Sequence, residues 1–155
     1  MRRVGWVSLL ALASAHAQVL SAQVTTNIVP DVALDRSLGT SATALGSMTT
    51  IDGGTLTGTN LFHSFSVFDL GSGDTARWVH GGGDANGISN VINRVTGGTS
   101  SSIFGTLDST ALPNADFFFI IPAGIIFGEG AQVNVPAAVL SSRRPPVVIV
   151  DPPVC

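Results

Sequence analysis

Between residues 57 and 79 the chain reads TGTNLFHSFSVFDLGSGDTARWV, and its apolar residues keep to no single side of the backbone. Alternate side chains of an extended segment point to opposite faces. Leu61, His63, Phe65 and Val67 therefore share one face, and Phe62, Ser64, Ser66 and Phe68 the other. Both faces are partly apolar, which predicts a strand covered on two sides, as in a stacked or solenoidal sheet. The preceding stretch has short apolar beats separated by Gly, Asp and Thr, and it holds no helical period. Asp52–Gly54 and Gly58–Asn60 are turn signals, since Gly supplies positive φ and Asp or Asn bonds back to its own backbone.

The same rhythm continues downstream. Gly71–Ala76 closes the first long strand, Arg77-Trp78-Val79 opens another, and a glycine-rich turn region follows from His80. NVINRVTGGTSSSIFGTL repeats the order of short strand, glycine turn and short strand. Phe117–Ile121 is a buried strand by length and β-enrichment; Pro122-Ala123-Gly124 breaks it, Ile125–Phe127 resumes, and Ala131, Val133 and Val135 alternate as a third segment. Strands this short and apolar suit the coils of a parallel β-helix, in which rung stacks on rung to bury the interior. From Val139 the style changes to VLSSRRPPVVIVDPPVC, whose Pro-Pro steps favour extended polyproline-like backbone; it reads as a tail with no core role.

Composition sharpens this picture. Only 11% of residues are charged, every cation is Arg, and Glu129 is the single Glu, so the residues of solvent-facing helix are nearly absent. A net charge of −3 with scattered arginines offers no basic face for nucleic acid. At the N-terminus, Met1-Arg2-Arg3 precedes an apolar run from Val4 to Ala15 that is too short to span a bilayer. Small residues around Ala17 and Ala22 bracket cleavage-like sites, so residues 1–22 read as a secretory signal peptide cleaved after Ala17 or Ala22. Cys155 has no internal partner for a disulfide and no companions for a zinc site.

The usual signatures of chemistry are missing: the chain has no Gly-x-Ser-x-Gly, no phosphate-binding loop and no His-Glu-x-x-His. His16 lies in the signal, His63 sits among apolar residues, and His80 is a turn residue. Gly81–Asn86 is similar to one calcium-binding nonapeptide, but such ions need ligands from successive repeats, and a surface loop is the simpler reading. Asp69 with Asp74, or Asp108 with Asp116, could pair as acid and base in a secreted carbohydrate-active β-helix enzyme; each sits in a turn-like context, where capping is the default. No catalytic residue, metal ligand or cofactor is assigned. A stand-alone secreted structural β protein is the other alternative.

Several motifs taken in order carry a resemblance: SLGT at Ser37–Thr40, GGTLTGTNLFHSFSVFDLGSGDTARW, ISNVINRVTGG, SSIFGTL and IPAGIIFGEGAQVNVPAA. Over roughly residues 23 to 138 the chain resembles the filamentous-haemagglutinin N-terminal domain, the secretion domain of two-partner secretion exoproteins. The resemblance implies an all-β fold, a right-handed parallel β-helix with some antiparallel capping strands. It also implies a non-enzymatic role in an adhesin-type exoprotein. Such a protein passes through the periplasm of a Gram-negative-type bacterium and is threaded outward by a dedicated outer-membrane β-barrel transporter with periplasmic recognition domains. Downstream regions would meet the host or cell surface.

By position, the family's secretion motifs fall on Asn60, Leu61, Phe62, His63, Ser64 and Phe65; on Asn93, Arg94, Val95, Gly97 and Gly98; and on Ile121, Pro122, Ala123, Gly124 and Ile125. Phe62 and Phe65 are expected to pack, and His63 to carry no chemistry. Ile121 stands where close relatives have Asn, a residue that caps and ladders at β-helix corners, so the turn is expected to rest on Pro122 and Gly124, and Asn at 121 to be tolerated. Residues 139–155 depart from the family pattern, and on this reading the domain is incomplete and the Arg/Pro-rich tail is either a cap or, the favoured reading, a frame-shifted remnant.

Overall fold

The computed structural model describes residues 23–142 and the short strand at Val147–Val148. The expected signal at 1–22 and most of the Arg/Pro tail lie outside the described residues. The described residues form fourteen strands in chain order. They are β1 (Asn27–Pro30), β2 (Thr40–Leu45), β3 (Met48–Gly53), β4 (Thr55–Thr57), β5 (Asn60–Asp69), β6 (Thr75–Trp78) and β7 (Asn90–Val95), then β8 (Ser101–Ile103), β9 (Thr106–Asp108), β10 (Asp116–Ile120), β11 (Ile125–Phe127), β12 (Gln132–Asn134), β13 (Ala137–Ser141) and β14 (Val147–Val148). Among the described residues the only helical turn is Ala85–Gly87, capped by Asp84, whose carboxylate accepts from the Asn86 amide at 2.9 Å.

These strands wind into three stacked sheets. A long sheet runs β1-β5-β7-β10-β13, a second sheet β12-β9-β6-β3-β2, and a short sheet β14-β11-β8. The chain visits the second, the long and the short sheet in turn, once per circuit, and each return is parallel: β5, β7, β10 and β13 stack with Asn60, Asn90, Asp116 and Ala137 in line. This is a parallel β-helix. The antiparallel strands gather at its start, where β1 and β4 share one edge of β5 and β2 pairs with β3.

Why these residues build rungs is visible in the inward columns. Leu61, Val91 and Phe117 stack, as do His63, Asn93 and Phe119, and all six are fully buried. Trp78 from the second sheet meets Phe117 edge-on, with centroids 4.8 Å apart, and stacks on Phe68 at 5.8 Å; Phe68 in turn meets Phe119 edge-on at 4.8 Å. Such ring pairs add about 0.5–1.5 kcal/mol each beyond the apolar area they bury. Asn93 is the polar member, and it is satisfied: its Oδ1 accepts from Trp78 Nε1 at 2.7 Å and its Nδ2 donates to the Phe118 carbonyl at 3.0 Å.

Three sequence expectations change. Phe68 was placed opposite Phe65, yet both rings are buried and touch, with centroids 5.2 Å apart. The cause is an irregularity against β1: Val67 pairs with Val29 while Phe65 pairs with Pro30, so Ser66 is an extra residue and the alternation reverses past it. Arg77-Trp78-Val79 does not open a strand; β6 begins at Thr75 and ends at Trp78. The rungs also run past 138, where the domain was expected to end: β13 carries Val139 and Leu140 in register with Phe118 and Phe119, and β14 pairs with β11.

Candidate functional site

The three motif segments converge on the long sheet and on the corner where it turns toward the short sheet. Asn60–Phe65 lies on β5 and Asn93–Val95 on β7, directly paired: His63 faces Asn93, Ser64 faces Arg94 and Phe65 faces Val95. Gly97 and Gly98 follow in the corner after β7. Gly97 has a steric reason to be glycine, since a Cβ there would sit 2.1 Å from the Ser66 carbonyl oxygen. Ile121–Ile125 forms the equivalent corner after β10. Its turn is closed by the Gly124 amide donating to the Ile121 carbonyl at 3.0 Å, with Pro122 in the second position, where its fixed φ is favoured. Gly124 has φ +117, and its carbonyl accepts from the Ser101 amide on the preceding rung at 3.0 Å.

Within these motifs the side chains divide by face. Leu61, His63, Phe65, Asn93, Val95, Ile121 and Ile125 point into the core. Ile121 is fully buried, which corrects the expectation that Asn would be tolerated there: the corner is closed by the Gly124 amide on the Ile121 carbonyl, and the side chain at 121 occupies an apolar core site. Asn60, Phe62, Arg94, Pro122, Ala123, Gly97 and Gly98 remain half-buried or exposed. Phe62, expected to pack, points outward instead, in register with Ile92, Phe118 and Val139, so an apolar column crosses four rungs of the outer face. Beside it, Asn90 Nδ2 donates to Asn60 Oδ1 at 2.7 Å, a short asparagine ladder.

On the other flank of this column lies a buried polar knot with no local signature along the chain. Asp31 is 4% exposed; it accepts from Thr96 Oγ1 at 2.6 Å and, at 3.4 Å, from Ser64 Oγ. Arg94 Nε donates to Ser64 Oγ at 3.0 Å and its Nη2 to the Arg36 carbonyl at 2.7 Å. The Thr96 hydrogen bond, followed by the Arg36 charge, holds the Asp31 carboxyl below its ordinary 3.8 against the opposing effect of burial. The knot pins the segment before β2 across β5 and β7. Its partners are up to 65 residues apart in the chain, so no local pattern could have announced it.

The carboxylates weighed as acid–base pairs are separately engaged. Asp69 accepts from the Ser102 amide at 2.8 Å, Asp74 accepts from Thr26 Oγ1, and Asp108 caps Thr110 while lying 3.0 Å from Arg77 Nε on the adjacent rung. Asp116 is exposed at the start of β10. Among the described residues, no group of three or more His, Cys, Asp or Glu could hold a metal ion.

A parallel β-helix with antiparallel strands at its first rung and a Pro-Ala-Gly corner after β10 defines the chain as a β-solenoid domain. Residues 30–148 match the family model described as the TPS secretion domain, and the chain belongs to that two-partner secretion family. It is thus a secretion domain of a two-partner secretion exoprotein, of the kind found in exported proteins of Gram-negative bacteria. Among solved structures it is similar to the HMW1 secretion domain from Haemophilus influenzae, at 20% identity and a TM-score of 0.49; the likeness covers 76% of this chain and 27% of that one. No curated protein matches the sequence.

Proposed function

We propose that this domain addresses an adhesin-type exoprotein to a dedicated outer-membrane β-barrel transporter, whose periplasmic domains read the outer face of the long sheet. The observation that supports the reading is the outward column Phe62, Ile92, Phe118 and Val139, bordered by the Asn60–Asn90 ladder and by Arg94. Contiguous apolar surface rimmed by polar groups is characteristic of interaction sites. The motif residues Asn60, Phe62 and Arg94 all present themselves on this face, while Gly97, Gly98, Pro122 and Ala123 sit at its corner. Their buried companions Leu61, His63, Ser64, Phe65, Asn93, Val95, Ile121 and Ile125, with the half-buried Gly124, shape the strands and turns that hold it.

In this proposal residues 1–22 are the signal peptide that delivers the chain to the periplasm, the secretion domain starts at residue 23 and includes the β13 rung beyond 138, and the role itself is non-enzymatic. Adhesion or haemagglutination belongs to downstream regions that meet a host or cell surface. The experiment is a binding titration of the domain against the purified periplasmic portion of its cognate transporter. Phe62→Ser with Phe118→Ser is expected to weaken binding at least about tenfold with the fold retained; unchanged affinity in a folded double variant would refute this placement of the site.

A further inference from the structure

His63 is a titratable group that the secretion reading leaves unused. Its ring is fully buried, and among the described residues neither Nδ1 nor Nε2 has a hydrogen-bond partner. A glycine knot closes over it. Gly39, Gly53 and Gly54 all have φ between +70 and +83, and the Gly54 amide donates to the Gly39 carbonyl at 3.0 Å. A Cβ on Gly54 would lie 2.9 Å from the His63 Cε1 and 3.0 Å from Nδ1, and one on Gly53 would lie 2.4 Å from the Gly39 carbonyl oxygen. These glycines join β2, β3 and β4, the antiparallel cap of the first rung, and bring that cap's backbone onto the imidazole.

We propose that His63 and the glycine knot form an acid-sensitive latch, in which the neutral ring lets the β2–β3–β4 cap close on the first rung and a charged ring expels it. A protonated imidazole needs acceptors for two N–H groups, and this site supplies none. The charged or titratable groups facing it are Asp52 on β3, which favours the proton, and His80 in the loop after β6, which opposes it. Asp52 is already committed, accepting from the Gly81 amide at 3.1 Å. From β7 the paired residue is Asn93, whose amide is taken up by Trp78 and Phe118, and from β5 the nearest ring is Phe65, stacked at 6.4 Å. Burial dominates this balance and pushes the ring down from 6.5 to about 4.

The latch is independent of which surface the transporter reads. Its test is amide hydrogen exchange on the full chain from pH 7 to 4.5, with the His63 ring followed by NMR. Protection at Gly54 and Ser64 is expected to fall about tenfold per pH unit below 6.5 and to stay well below that at Phe119, in a later rung that opens only with the whole fold. In His63→Leu, the pH dependence of the cap amides is expected to disappear. Cap amides as strongly protected as Phe119 at every pH, or an unchanged pH dependence in His63→Leu, would overturn the latch. Should that variant fail to fold, the wild-type ring decides: titration near 6.5 with the cap amides still protected would equally overturn it.

Discussion

The inner and outer faces of the long sheet are made from the same strands, yet they answer to different demands. Inward, Leu61, His63 and Phe65 on β5, Val91, Asn93 and Val95 on β7, and Phe117 and Phe119 on β10 are closed off from water. Outward, the alternating residues of the same strands include Asn60, Phe62, Asn90, Ile92, Arg94 and Phe118, all half-buried. A motif recognised along one strand is therefore two interleaved sets. One set builds rungs, and the other forms a surface for a partner. Substitutions within a single short motif should separate into folding defects and recognition defects by parity, except at Ser64, which has the outward parity but is buried in the Asp31 knot.

The strongest test of the inner set is Phe119→Ala, which removes a ring packed against Phe68, Trp78 and Phe117. It is expected to lower unfolding stability by about 3–5 kcal/mol in a urea titration. Ile121→Asn comes next, at about 3 kcal/mol, because it replaces a fully buried apolar side chain with an amide that has no assigned partner. A neutral or stabilising result there would return position 121 to the corner.

Acid should expose the polar residues of the inner set. His63 is kept neutral in the folded chain, so as pH falls below its ordinary 6.5 the unfolded chain takes up the proton first. Stability is then full above 6.5 and declines by about 1.4 kcal/mol per pH unit down to the folded value of about 4, a total of about 3 kcal/mol. Asp31 and Asp52 act in a lower window. Their folded carboxyls are held below 3.8, chiefly by Thr96 and by the Gly81 amide respectively, so their contribution is present above 3.8 and is lost only as pH falls further. Denaturant midpoints taken between pH 7.5 and 3 should show both slopes, and His63→Leu should remove only the upper one.

Asn93→Leu is expected to cost a smaller amount, about 1–3 kcal/mol, since it leaves the Trp78 indole N–H without its acceptor in the core. The same unfolding titration reads it, and a near-zero effect would mean that the indole finds another acceptor.

Much of the rung architecture was legible because its causes are local. Glycine turns, short strands and apolar residues on both faces already require stacking. The places where the reading failed have long-range causes. The parity reversal at Phe68 depends on Pro30 and Val29 pairing across β1. Ile121 differs from its expected Asn because the turn there is closed by backbone and the side chain is free to enter the core. Val139 and Leu140 looked like tail because the Arg-Pro sequence after them has no strand character, but the rung beneath supplies Phe118 and Phe119 as register partners. The Asp31 knot joins segments distant in sequence, and only the folded circuit brings them together.

The outer set carries the smallest stability effect and the most direct test. Phe62→Ser combined with Phe118→Ser should shift unfolding by no more than about 1 kcal/mol, since both rings already face outward. Export of this double variant through the cognate transporter is the measurement to make. The account predicts a folded domain that is no longer secreted. Undiminished export of the folded variant would contradict the claim that the outer face of the long sheet is what the transporter reads.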